Sequence, residues 1–148
     1  MTIKQRTKNM NKLIKFMRKY PHSFNMGCVG SIVPTAENND IKFSILNLYE
    51  FHGAISTNAC GAACCIIGYT NAVTNDGTIN SGFTHVHEFL GVSEKVATEL
   101  CYPGLGTRFY PELTYQTTDV EVGIKFIKEV CEEENDLQRA RNINRRRA

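Results

Sequence analysis

The chain has 148 residues, 42% hydrophobic and 22% charged, with six cysteines and a formal net charge of +2. That length fits one domain burying roughly 70% of the surface its unfolded chain exposes, so neither a disulfide nor a metal is required to hold it. The opening MTIKQRTKNMNKLIKFMRKY lacks the apolar core of a signal peptide, no run approaches the roughly 20 apolar residues of a membrane span, and Cys64 beside Cys65 reads as free thiols of a reducing compartment. A soluble cytoplasmic protein without membrane contact is expected.

Charge is segregated along the chain. Residues 1–36 hold seven Lys or Arg and no acid, residues 37–138 hold five basic and all fifteen acidic residues, and residues 139–148 hold five Arg. Two basic ends therefore flank an acidic middle. They either fold back on it or face nucleic acid or another acidic partner.

At 100° per residue, Lys4, Lys8, Lys12, Lys15 and Lys19 fall within an arc of about 80°, opposite Ile3, Met10, Leu13, Ile14, Met17 and Tyr20. The pattern predicts an amphipathic helix with a lysine stripe, stopped at Tyr20 by Pro21. SFNMGCVG then reads as a turn that plugs Phe24 and Met26 into the core, and SIVPTAENND as a loop by composition. IKFSILNLYEF alternates imperfectly, which leaves a strand with a bulge or a short helix open, with a strand or hairpin preferred.

Asn58 to Thr74, NACGAACCIIGYTNAVT, carries no charge and predicts a buried central helix from Cys60 to about Val73, with Asn58 as its cap and Gly61 and Gly68 allowing close approach. TNDGTINSG could form a short hairpin around Asp76-Gly77. Thr84 to Leu90 predicts a short helix ended by Gly91. Ser93 then caps Glu94 to Cys101, with Val96, Ala97, Leu100 and Cys101 on one face and Glu94 and Glu99 exposed. Thr118-Asp119-Val120-Glu121 predicts a capping box opening a last helix to Asp136 or beyond. The final RARNINRRRA has no apolar face and is expected to fray or to depend on a partner. The expected architecture is a mainly α, single-domain bundle of four to five helices over 1–138, with a basic tail at 139–148. At most a small β element is expected near 41–49 or 75–83, which keeps α+β open.

With these segments placed, the chain resembles a family of small uncharacterised proteins of bacteriophages and bacteria. The resemblance is carried by Phe24-Asn25-Met26-Gly27, by Cys60-Gly61-Ala62-Ala63-Cys64-Cys65-Ile66-Ile67-Gly68-Tyr69, and by Leu90-Gly91-Val92-Ser93 with Ala97 and Leu100. It covers about two thirds of the chain. Tyr69 stands where Trp or His is common, and Ala59 where a His often precedes the Cys. The resemblance implies a phage-type accessory protein that acts on a host or virion protein in the bacterial cytoplasm, without turnover of its own.

Two other classes compete. A thiol at a helix N-terminus has a lowered pKa, so Cys60, with His85 or His87, is the candidate set for a cysteine hydrolase resembling papain-like or bacteriocin-processing peptidases. Against it, both histidines lie on a predicted helix and no Gln precedes Cys60. A zinc site from Cys60, Cys64 or Cys65, His85 and His87 is disfavoured, because on a helix the two histidines point about 200° apart. No metal or cofactor is expected. His22 and His52 read as surface or loop residues, and GLGTR lacks the strand and helix of a phosphate-binding loop. The third class is a nucleic-acid-binding module using the lysine stripe with Arg145, Arg146 and Arg147.

Overall fold

A computed structural model describes residues 1–21, 24, 26, 32–34, 41–43, 65–74, 82–102, 112–114 and 116–148. Among them are five helices, α1 (Ile3–Lys19), α2 (Ile66–Thr74), α3 (Gly82–Leu90), α4 (Glu94–Cys101) and α5 (Val120–Arg147). The chain is mainly helical, as its periodicity predicts. A small antiparallel pair, β1 (Ile32–Pro34) and β2 (Ile41–Phe43), aligns Val33 with Lys42. β2 falls within the IKFSILNLYEF segment, at its alternating Ile41-Lys42-Phe43. β1 corrects the loop assigned to SIVPTAENND, since the β-branched Ile32-Val33 suits an extended backbone. No helix among the described residues is long and apolar enough to cross a membrane.

α1 starts where the Thr2 side chain accepts from the Gln5 N–H and ends at Tyr20, as Pro21 dictates. It runs antiparallel to α5: the Arg18 guanidinium meets the Glu121 carboxylate at 3.0 Å at one end, and Arg6 meets Asn135 at 2.7 Å toward the other. Leu13 and Met17 of α1 and Ile127 of α5 are fully buried, along with Ile66, Ile67 and Tyr69 of α2. Each such side chain contributes roughly 1.5–3 kcal/mol, against at most about 1 kcal/mol for a surface ion pair, so the apolar faces decide the packing.

Tyr69 is the centre of this core. Its ring meets Phe16 edge-on with centroids 6.1 Å apart and Phe24 at 6.3 Å, and its hydroxyl donates to the Tyr20 backbone carbonyl. The only polar atom of its side chain thereby has a partner at the C-terminal end of α1. Phe24 and Met26 are both 2% exposed, in the core as expected, and the Met26 N–H donates to the Thr117 carbonyl.

Several expectations are corrected. α2 begins at Ile66, not Cys60: Cys65 is non-helical and its carbonyl accepts from the Tyr69 N–H, which makes it the residue that opens the ladder. The proposed start at Asn58 and Cys60 lies outside the described residues, as do Gly27, Gly61, Cys64, most of the suspected hairpin at 75–83 and residues 44–49. α3 starts at Gly82, two residues before Thr84. At the start of α5 the cap is Asp119, whose carboxylate accepts from the Glu121 N–H at 3.0 Å, rather than Thr118. Glu121 is thereby left to pair with Arg18. Glu99, expected on the surface, is buried and only 5% exposed, because the two turns of α4 are covered by α2, α3 and α5.

The largest difference is the tail. α5 continues unbroken to Arg147 instead of fraying after Gln138. Arg139 pairs with Asp136 one turn earlier at 2.7 Å, and arginines in the last turn suit both helix propensity and the negative end of the helix dipole. At 1.5 Å per residue the 28 residues of α5 reach about 42 Å against about 26 Å for the 17 of α1, so α5 outruns its partner.

Candidate functional site

The residues proposed for cysteine chemistry are only partly described. Cys60 and Gly61 are not, whereas Cys65, Cys101 and Cys131 are buried thiols outside any disulfide. Burial pushes the Cys101 thiol well above its usual value, and neighbouring Cys65 adds to the rise. Cys131 is pushed up to about 12, first by burial, with the Arg6 cation pulling down and the Glu132 carboxylate pushing up. These two thiols stay protonated at neutral pH and are poor nucleophiles.

The two candidate histidines hold the helix framework together. The Thr74 hydroxyl gives its proton to the Thr70 carbonyl at 3.1 Å, so it accepts from His85 Nε2 at 2.8 Å, joining α2 to α3. His87 donates from Nδ1 to the Val92 carbonyl and so braces the turn between α3 and α4. Among the described residues no three His, Cys, Asp or Glu side chains group so as to hold a metal ion. Of the motif positions, Leu90 and Gly68 are buried, and Gly91 has φ +62°, the left-handed conformation that ends α3.

The basic surfaces are fully described. Lys4, Lys8, Lys12, Lys15 and Lys19 are all exposed. None pairs with a carboxylate among the described residues; Lys19 lies 5.3 Å from the Tyr20 ring centroid. Residues 139–148 are exposed without exception. Within them Arg139 and Arg141 pair with Asp136 and Glu134, whereas Arg145, Arg146 and Arg147 make no ion pair among the described residues.

The residue that sequence reasoning missed is Arg6. It lies in the middle of the apolar arc of α1, at the angle of Leu13 and Met17, and is 2% exposed. Its Nε donates to the Leu90 carbonyl at 3.2 Å and the Gly91 carbonyl at 3.3 Å, and its Nη2 to Gly91 at 2.9 Å. Nη1 donates to Asn135 Oδ1 at 2.7 Å and Gln138 Oε1 at 2.9 Å. One guanidinium thus joins α1, the α3–α4 turn and α5 through neutral oxygens, two of them at the negative end of the α3 dipole. A charged residue inside an apolar arc was the available signal.

Beside Arg6 opens a cleft of about 270 Å³, lined also by Gly91, Gln138, Arg141, Asn142 and Arg145. A second groove of about 360 Å³ runs between Arg18 and the Lys125, Lys128, Glu129 and Glu132 face of α5. No protein-family model matches the chain, and no curated protein and no solved structure is significantly similar to it.

Proposed function

We propose that the chain is a non-catalytic interaction protein of the phage-accessory kind its motifs resemble, gripping an acidic surface of a host or virion protein with the projecting end of α5. The observation behind this reading is the wholly exposed helical extension after Gln138, which holds five arginines and no acid of its own and whose Arg145, Arg146 and Arg147 make no ion pair among the described residues. Leu137 and Ile143, 53% and 49% exposed, add apolar contact area on that end. Positive charge steers it to an acidic partner and away from a second copy of itself. The test is capture from bacterial lysate by the full chain and by an Arg146→Gln, Arg147→Gln variant, each with nuclease treatment. A protein retained by the parent after nuclease and lost by the variant is expected; equal capture by both rejects the reading.

The unpaired lysine stripe favours a second reading, a nucleic-acid contact along α1. Neutralising about five phosphates gives a log–log salt slope of roughly −4 on duplex DNA. Lys8→Gln, Lys12→Gln, Lys15→Gln should flatten that slope, and a slope near zero in the parent removes this reading. The cysteine hydrolase using Cys60 with His85 or His87 receives less support, because both rings are engaged in framework contacts.

A further inference from the structure

The geometry points to the cleft between the α3–α4 turn and the projecting end of α5 as a binding site for a dianionic phosphoryl group. Arg6 is the first reason. A guanidinium that is 2% exposed is expected to face a carboxylate or another anion, yet every acceptor it meets among the described residues is a neutral oxygen. Four of its five N–H groups have such acceptors; one on Nη2 has none among the described residues, and Arg6 lines the cleft.

The second reason is the lining opposite. Arg141 and Arg145 stand one turn apart on the same face of α5, with Asn142 between them in sequence as a neutral donor, and all three line the cleft. Arg145 makes no ion pair among the described residues. Arg141 reaches Glu134 at only 3.4 Å, and that carboxylate is the sole acid among the described residues of the wall. Three guanidinium groups against one carboxylate leave the cleft with an excess of two positive charges. Their planar forks match the oxygens of a phosphoryl group in a way that lysines would not. A volume of about 270 Å³ accommodates the group and a small substituent, but not a folded partner.

Glu134 then acts as an internal competitor: it pairs with Arg141 and yields it when the anion enters. The cleft shares Arg141 and Arg145 with the end of α5 assigned to the partner contact, but Arg146 and Arg147, the residues changed to test that contact, do not line it, so the two readings fail separately.

The experiment is calorimetric titration of the full chain with inorganic phosphate and with a nucleoside 5′-monophosphate, beside the variants Arg141→Gln, Arg145→Gln and Glu134→Gln. Arg141 and Arg145 are exposed and Glu134 is half-buried, and circular dichroism verifies that each variant keeps the parent helix content. Saturable binding by the parent is expected, weakened about tenfold by either arginine change and tightened about fivefold by Glu134→Gln. Equal affinity for the two ligands would assign the free ion, and tighter binding of the monophosphate would assign an ester. Three results overturn the site: no saturable binding, binding unchanged by both arginine variants, or equally tight binding of a dinucleoside monophosphate, which carries only a diester.

Discussion

The ring of Phe24 rests directly on the backbone of Gly123 in α5: a Cβ placed at Gly123 would lie 2.7 Å from Phe24 Cζ and 3.1 Å from its Cε2. Phe24 is 2% exposed and touches Tyr69, so the ring has no room to retreat. A glycine in the second turn of a long helix therefore fixes how closely the Phe24 turn approaches α5.

Two effects compete when Gly123 becomes alanine. Helix propensity gains about 1 kcal/mol, while overpacking against a buried ring costs about 1–3 kcal/mol. Gly123→Ala should lower stability by about 1 kcal/mol net, and Phe24→Leu combined with it should lose less than the two separate changes added together. Urea unfolding of the four proteins measures the coupling; strict additivity would mean the ring does not set the approach.

Gly91 poses a different problem, because its φ of +62° is the strain and the steric contact is not. The atom nearest a Cβ there, at 2.5 Å, is the Met1 sulfur, the far end of a flexible side chain on a residue 51% exposed. Gly91→Ala should thus lose about 1–2 kcal/mol from the left-handed backbone, and Gly91→Asn less, since Asn tolerates that region. Thermal unfolding should rank Gly above Asn above Ala. An alanine variant as stable as the parent would sink this account.

Replacing Arg6 tests whether its fork or merely its charge joins the three segments. Lysine keeps the charge but cannot span the Leu90 and Gly91 carbonyls on one side and Asn135 and Gln138 on the other. Arg6→Lys should cost about 2 kcal/mol and Arg6→Ala more, with faster amide exchange in the first turns of α1. Equal stability of the lysine variant would show that charge alone suffices.

Alkaline pH should weaken the fold through its thiols. Cys101 and Cys131 have folded pKa values raised above the ordinary 9.0, so in that range the folded state holds protons that the unfolded chain releases. Their contribution is intact below about pH 9 and is lost as pH rises from there towards 12. The urea midpoint should fall over that range, and less steeply in Cys131→Ala. At pH 8, iodoacetamide should leave Cys65, Cys101 and Cys131 unmodified until the protein unfolds. Rapid modification of Cys60 below pH 7 would instead favour the hydrolase reading.

What the sequence determined by itself is local. The stop of α1 before Pro21, the Ser93 cap whose hydroxyl accepts from the Val96 N–H at 3.2 Å, the Gly91 end of α3 and the apolar faces of α1 and α5 are written in residues a few positions apart. Caps, turns and 3.6-residue periodicity act over one or two turns, so they are legible without the fold. The lysine stripe was legible for the same reason, and its exposure followed from the apolar arc opposite. The tertiary structure decided what depends on distant partners. Arg6 reads as one more surface cation until Leu90, 84 positions away, and Gln138, 132 positions away, are brought to it. Glu99 lies on the surface side of α4 by pattern and in the interior by packing, because three helices cover that short element. The end of α5 shows no apolar periodicity, yet it is helical: the helix was already nucleated by its packed first half, and extending it requires only one residue at a time to order. The cleft at Arg6, Arg141 and Arg145 exists only because antiparallel packing sets the start of α1 against the outrunning end of α5.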